Sequence, residues 1–244
     1  MDPRRLGIVV VRPLLPSNLG SIARACKNFG VRDLRLVEPA AETNEDSHRL
    51  ASGAGDVLEG LRRYSSLPLA IAEFEAVVAT SSLRGRGKHR AISLGELPGF
   101  LQELDKSRVA LVFGPEKSGL TEEEMSHASV FLRLPTEPEF PTLNVSHAVA
   151  VTLAAARLAG DDGSAAGGEP WAAAKDVEGA IEHWDRALHA IGFYDTGHHD
   201  RTLRDWRRIV AGRPLPERDV KILRGIANRI LVSLRRKAKE ADSD

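Results

Sequence analysis

The sequence predicts an α/β fold: a mostly parallel sheet followed by a small all-helical domain. Three observations carry this. The chain opens strand–helix–strand, with Leu6–Val11 (LGIVVV) and Asp33–Val37 (DLRLV) as short runs flanking a helical spacing, which is the start of a parallel layer. Short apolar runs recur at residues 76–79, 109–113 and 130–134. Beyond the Gly-, Ala- and Asp-rich stretch 160–170 the spacing becomes helical only.

Taken in order, Leu6–Val11 is continuous, apolar and β-branched, as expected of a strand buried on both faces. Residues 17–29 place Leu19, Ile22, Ala23, Cys26 and Phe29 at helical spacing, with Ser17 or Asn18 as N-cap and Gly30 as the stop. Further helices are expected at 47–52, 68–74, 94–103, 121–128 and 144–159, and after the linker at 172–191, 200–210 and 216–239. The division that follows is a domain over residues 1–160, a linker over 161–170 and a helical domain over 171–244.

Composition excludes little. The 34 basic residues balance the 34 acidic ones, so net charge gives no sign of a polyanionic partner, although local patches decide recognition. A single cysteine, Cys26, rules out an internal disulfide and fits a reducing compartment. The first residues carry no signal-peptide pattern, and no apolar stretch approaches the roughly 18 residues of a membrane span. The expectation is a soluble, cytoplasmic protein.

Three segments carry chemistry. Residues 18–24 (NLGSIAR) open the first helix: Asn18 at its N-terminus, Gly20 keeping the first turn thin so that a ligand can approach the backbone, and Arg24 projecting from the same helix. A helix N-terminus beside a guanidinium suits phosphate, although a cap plus a surface arginine is the plainer reading. Residues 113–120 (FGPEKSGL) end a buried strand with Gly114-Pro115, and Gly119 permits a second unusual backbone angle. Ligands in open α/β sheets collect at such strand ends; a plain strand-to-helix turn is the alternative. In residues 134–146, Pro135, Pro138 and Pro141 stiffen a loop that delivers Thr142 and Asn144 to a helix start, where either could cap it. A weaker segment, 79–88, is small and polar and then basic; it could line a pocket or be a solvated loop. No G-x-G-x-x-G follows the first strand and no Walker A loop is present. His198 and His199 are adjacent, so they share no helix face and read as surface residues. His147, one turn from Leu143, is expected to face the core, and Cys26 to be a buried small residue.

Together these segments resemble the three motifs of the SpoU/TrmH class of SPOUT RNA methyltransferases. Asn18, Gly20 and Arg24 match the first, residues 113–120 the second, and Leu134-Pro135 with Leu143-Asn144 the third. Residues 1–160 carry the resemblance with order and spacing intact. The direct start at the first strand and the helical extension after a linker, including residues 191–193 and 217–225, are most similar to the TrmJ subfamily, tRNA 2′-O-methyltransferases acting at nucleotide 32 of the anticodon loop. Pro141 and Thr142 stand where that subfamily usually carries two serines; Thr142 keeps the hydroxyl, with a more restricted rotamer.

The resemblance implies a deep trefoil knot at the C-terminal part of the catalytic domain, a homodimer sharing its active sites, and S-adenosylmethionine as cofactor with no metal. Arg24, Thr142 and Asn144 would be catalytic. Thr80, Ser81, Ser82, Gly114, Leu134, Thr142, Leu143 and Asn144 would bind the cofactor, and Asn18, Arg24 and Glu116 the substrate. The partner implied is tRNA. The same chemistry on ribosomal RNA or at another tRNA position is the alternative, as is a knotted RNA-binding protein without catalysis. In the helical extension an ideal wheel puts Lys221, Arg224 and Arg235 on one face and Ile222, Ile226 and Ile230 toward a core, with Arg201, Arg204 and Arg208 as a second basic stripe. Such stripes can follow phosphates.

Overall fold

The computed structural model describes residues 2–80, 90–104, 106–115, 117–158, 170–194 and 199–241, with side chains as far as 236. Among these residues seven strands form one sheet: β1 (Leu6–Val11), β2 (Asp33–Val37), β3 (Arg62–Tyr64), β4 (Ala76–Thr80), β5 (Ala91–Ser93), β6 (Val109–Phe113) and β7 (Val130–Arg133). Their order is β3-β2-β1-β6-β4-β7-β5, and every adjacent pair is parallel. All the strands therefore end on one edge of the sheet. The uninterrupted apolar run of β1 reflects its place between β2 and β6, where all six positions are buried.

Alternate strand residues feed two layers. Ile8, Val10, Leu34, Leu36, Leu111 and Leu132 face α1 (Pro16–Asn28), α2 (Glu45–Ala51), α3 (Gly55–Glu59), α5 (Leu97–Glu103) and α7 (Val145–Arg157). Val9, Val11, Val77, Ala110 and Val112 face α4 (Leu67–Ile71) and Phe74 on the other side. Arg35 of β2 also points into this second layer and is fully buried. Its guanidinium donates to Asp33 (3.0 and 2.8 Å), Glu73 (2.8 Å) and the Ala70 carbonyl (2.7 Å) and lies 4.4 Å from the centre of the Phe74 ring. Every group that a buried arginine needs is supplied. Phe74 in turn fills the space over Gly7, where a Cβ would come within 2.3 Å of the ring.

The last helices, α8 (Ala174–Ala190), α9 (His199–Ala211) and α10 (Glu217–Ala241), enclose a small core of Ala180, Ile181, Val210, Leu215 and Val220. They are fastened to the α/β layer. The Ala174 and Lys175 amides donate to the carbonyls of Phe74 (2.7 Å) and Ala72 (3.2 Å). Arg207 of α9 bridges Glu178 of α8 (2.8 Å) and Glu123 of α6 (Glu122–Ser126; 2.7 Å).

Several expectations need correction. Asn18 is no cap: Pro16 takes the first position of α1, Leu15 precedes it without a side-chain bond, and Asn18 is buried inside the first turn. Gly20 does not clear space for a ligand; a Cβ there would lie 2.1 Å from the Ser47 carbonyl, so its role is the close crossing of α1 and α2. The short strands β3 and β5, at the two edges of the sheet, and the short helix α3 were missed. The wheel for α10 is turned. Val220, Leu223 and Ala227 (i, i+3, i+7) face α8, leaving Ile222 and Ile226 49% and 46% exposed. Arg224 is half-buried over Gly179 and Lys221 pairs with Glu217 (3.2 Å), so the predicted basic face does not form as a unit. In the second stripe Arg201 is exposed, whereas Arg208 pairs with Asp205 (2.9 Å).

Candidate functional site

The carboxyl ends of β4, β6 and β7 open onto a cleft of about 730 Å³, within the ~300–1,000 Å³ typical of small-molecule sites. Thr80 closes β4, and its hydroxyl donates to the Val112 carbonyl (3.2 Å), which fixes the side chain at the cleft wall. Gly114 follows β6. A Cβ on Gly114 would meet the carbonyl carbon of Gly119 and the amide nitrogen of Leu120 at 2.7 Å, while Gly119 itself has φ +65°. The 114–120 segment thus folds back on itself only because both positions are glycine. Its bare backbone lines the cleft together with Leu134, Thr142 and Leu143.

The third wall is set by α7. Asn144 is its N-cap, its Oδ1 accepting from the Ser146 amide (2.9 Å) and hydroxyl (2.7 Å). The same side chain donates through Nδ2 to Asn18 Oδ1 (3.1 Å), so the starts of α1 and α7 are tied across 126 positions of sequence. Two of the three segments singled out above therefore meet through one hydrogen bond, and the second and third share the cleft. Thr142 is exposed within it. Arg24 is exposed on α1 and does not line the cleft of its own chain. Ser81, Ser82 and Glu116 lie outside the described residues, as do His198 and nearly all of the expected linker. His147 corrects its expectation: it is exposed on α7, where Val145, Ala148 and Val149 take the core positions. Cys26 is buried, and burial pushes its thiol up to about 12, which leaves it inert. His199 pairs with Asp185 (2.9 Å) and Asp200 (3.1 Å). Among the described residues no group of three His, Cys, Asp or Glu side chains could hold a metal ion, and no helix is long and apolar enough to cross a membrane.

Sequence reasoning missed the ion pair behind this site. Arg12 and Glu38, directly after β1 and β2, both adopt positive φ (46° and 44°) without being glycine. Arg12 forms a two-pronged bond with Glu124 of α6, one prong at 3.0 Å, and lies 3.5 Å from Glu38. Burial acts first on Glu124 and favours its neutral form; the Arg12 bond and the Thr121 amide outweigh it and hold the carboxyl below its usual range. Arginine after a strand gives no signal of a partner 112 residues away. Lys117 and Arg133, which bring positive charge to the cleft, were given no role in the sequence reading, although Lys117 lies within the 113–120 segment and Arg133 directly precedes the third.

Both parts of the chain resemble known proteins. Residues 5–154 match the SpoU rRNA Methylase family, and residues 175–243 match the C-terminal domain of the tRNA methyltransferase TrmJ. The tRNA (cytidine/uridine-2′-O-)-methyltransferase TrmJ of Pectobacterium atrosepticum is 32% identical over 231 residues, covering 91% of this chain and 95% of that protein. The tRNA (cytidine-2′-O-)-methyltransferase TrmJ of Methanocaldococcus jannaschii is 34% identical over 151 residues, a match spanning 61% of this chain and 65% of that protein. The crystal structure of TrmJ from Z. mobilis ZM4 superimposes with a TM-score of 0.80 at 29% identity, covering 92% of this chain and 98% of that one.

Proposed function

This chain belongs to the SpoU rRNA Methylase family, and from that premise we propose that it is an S-adenosylmethionine-dependent tRNA ribose 2′-O-methyltransferase. The observation that carries the reading is the cleft at the ends of β4, β6 and β7, with Asn144 at its edge bonded to Asn18. The relatives that align over most of the chain are named as tRNA 2′-O-methyltransferases, and nucleotide 32 of the anticodon loop is the position we assign.

The residues fit the cofactor. Thr80, Gly114, Leu134, Thr142 and Leu143, which line the cleft, would hold it, with the bare backbone at 114 and 119 giving a flat ligand close approach; Asn144, whose side chain bonds Ser146 and Asn18, would act next to them. When bound, S-adenosylmethionine supplies an electrophilic methyl group on a sulfonium. The rest falls to this chain. Its first task is alignment, which can supply roughly 7–11 kcal/mol in favourable cases. Thr142, exposed in the cleft, orients the ribose hydroxyl. Arg24 grips the adjacent phosphate and stabilises the oxyanion that develops as the hydroxyl loses its proton. A guanidinium, with pKa above about 12, does not serve as the base. Ser81, Ser82 and Glu116 remain part of the proposed site.

Because Arg24 lies outside its own cleft, we assign it to the cleft of a second copy in a homodimer. Leu14 and Leu15 before α1, Val151 on α7 and Leu158 at its C-cap are exposed large apolar side chains on or next to the packed pair α1 and α7, and a partner would cover them. The trefoil knot belongs to the same proposal. The chain leaves β7 far across the sheet yet α7 packs on α1, so segment 134–144 must travel back over the strand ends. We also retain tRNA as partner of the helical extension, now through the exposed face of α10 that carries Arg229, Arg235 and Arg236, and a cytoplasmic location.

The deciding experiment maps ribose methylation at nucleotide resolution in total RNA with and without the gene. Loss of one 2′-O-methyl at nucleotide 32 is expected; loss in ribosomal RNA alone would overturn the substrate. Arg24→Ala and Arg24→Lys should each lower turnover by about 10²–10³-fold, the worth of one oxyanion donor, with cofactor affinity retained. Near-normal turnover in both would remove Arg24 from the mechanism.

A further inference from the structure

Phe140 is 78% exposed, and no large apolar side chain among the described residues is more so. It stands on the loop that delivers Thr142 and Asn144, not on a helix face or within a core cluster. The loop holds it in place: the Phe140 amide donates to the Glu137 carbonyl (3.0 Å), closing a turn, and Pro138 and Pro141 flank it. Proline fixes its own φ, so the backbone that carries the ring has little freedom left to lose when a ligand binds. The two residues that follow, Pro141 and Thr142, line the cleft. Consecutive Cα atoms are about 3.8 Å apart, so the Phe140 backbone adjoins the cleft wall within two residues of the hydroxyl assigned to the target ribose, with its ring open to solvent.

We propose that Phe140 is a positioning residue that stacks on a nucleobase of the RNA substrate, holding the strand so that the target ribose enters the cleft. This rests on the RNA-methylation reading above. The ring suits the task. An aromatic face accepts any base, since every base offers a π-surface, and ribose methylation requires the sugar to be placed, not the base to be read. An aromatic with only two side-chain torsions on a proline-stiffened loop next to the cleft gives placement at low entropic cost. The charged groups at the cleft, Lys117 and Arg133, cannot provide this alone, because they hold phosphates without fixing the rotation of the nucleotide.

The test compares wild type, Phe140→Ala, Phe140→Leu and Phe140→Trp by steady-state methylation of tRNA, with cofactor affinity by calorimetry, Tm, and association state by sedimentation. Phe140→Ala should raise KM for tRNA by about 5- to 150-fold, equivalent to the ~1–3 kcal/mol of one base–aromatic stack. Cofactor Kd, Tm and association state should stay unchanged. Phe140→Trp should keep the wild-type KM, and Phe140→Leu should behave like Ala, since it keeps apolar area but loses the π-face. An unchanged KM in Phe140→Ala, full activity in Phe140→Leu, or a shift toward monomer in Phe140→Ala would each overturn the stack, the last by assigning the ring to a contact between copies. A wild type that methylates no tRNA would instead overturn the functional reading; an active wild type with an indifferent Phe140→Ala overturns only this inference.

Discussion

Gly114→Ala is the most direct probe of the cleft. The added Cβ would sit 2.7 Å from the carbonyl carbon of Gly119 and the amide nitrogen of Leu120. Both are backbone atoms, so no side chain can swing aside. The 119–120 backbone must retreat by about 0.7 Å, from 2.7 Å to the 3.4 Å at which ordinary contact begins. Overpacking of this size costs about 1–3 kcal/mol. In the free protein the segment can relieve part of the strain by opening away from β6. On the proposed assignment, binding of S-adenosylmethionine would need the segment back in place, so the strain would reappear as lost affinity, about 5- to 150-fold in Kd if all of it is recovered. Two other substitutions separate the causes. Gly119→Ala meets nothing within 4 Å but keeps φ at +65°, a conformation that costs an alanine roughly 1–2 kcal/mol. Gly99→Ala in α5 also meets nothing within 4 Å, and a helical Gly→Ala exchange should raise stability by about 0.5–1 kcal/mol. Titration calorimetry with S-adenosylmethionine and thermal denaturation read all three. A Gly114→Ala protein with wild-type Kd and Tm would refute the claim that the fold-back at 114–120 shapes the cleft.

Asn144→Ala removes the cap of α7 and the bond to Asn18, a loss of about 2 kcal/mol or roughly 4–8 °C in Tm; Asn144→Asp keeps the cap acceptor, loses the donor to Asn18, and should fall between in a melting experiment. Arg35→Ala should destabilise by about 2–5 kcal/mol in denaturant titration because it empties a fully buried site against Phe74, while Arg62 (2.7 Å) and Arg108 (3.0 Å) keep Asp33 paired; Arg35→Met, which restores apolar volume, should cost less. His127 packs between Glu123 (3.8 Å), Glu178 (3.7 Å) and Arg207, and its pKa is lowered, first by burial and then by Arg207. The folded state thus binds its proton less readily than the unfolded chain, so this contribution is complete above about pH 6.5 and is lost as pH falls through the lower folded value. His127→Gln should flatten the decline of Tm in that window, and an unaltered slope would show that other groups set it.

The parts of this molecule legible in the sequence are those written in local chemistry. Proline and glycine announce the 134–144 loop, the 114–120 turn and the stop at Gly30, whose φ is +79°. Uninterrupted β-branched runs announce the central strands, because a strand covered on both faces has no polar side to show. The edge strands β3 and β5 are short and only partly buried, so no periodicity develops in them. Gly20 looked like room for a ligand because the sequence does not show that Ser47 lies against it. The α10 wheel failed for a related reason. Its isoleucines and arginines alternate closely enough that two faces look apolar, and only packing against α8 decides between them.

What local chemistry could not show is how the site is braced, and that follows from the short helix α6. Five residues make a poor helix alone, yet α6 is pinned at every quarter. Thr121 and Glu124 form a reciprocal cap at its start (3.2 and 2.7 Å). Glu124 then reaches Arg12 at the end of β1, and its neighbour Glu123 reaches Arg207 on α9. One helix therefore joins the strand end that leads into the Asn18–Arg24 segment to the helical extension. Both arginines are largely covered, with side chains 29% and 10% exposed, so these pairs are less screened than surface bridges; loss of Arg12 would strand the covered Glu124 carboxylate, whereas Arg207 keeps Glu178 at 2.8 Å if Glu123 is removed. The positive φ at Arg12 is held in place by this brace, since a strained residue persists only where its surroundings over-determine it. The extension is thus mechanically continuous with the loop that positions Asn18. A protein lacking α8–α10 would lose the Arg207 end of the brace together with any RNA contact those helices make, which is why single substitutions on the exposed face of α10, and not truncation, are the clean way to separate their RNA binding from support of the site.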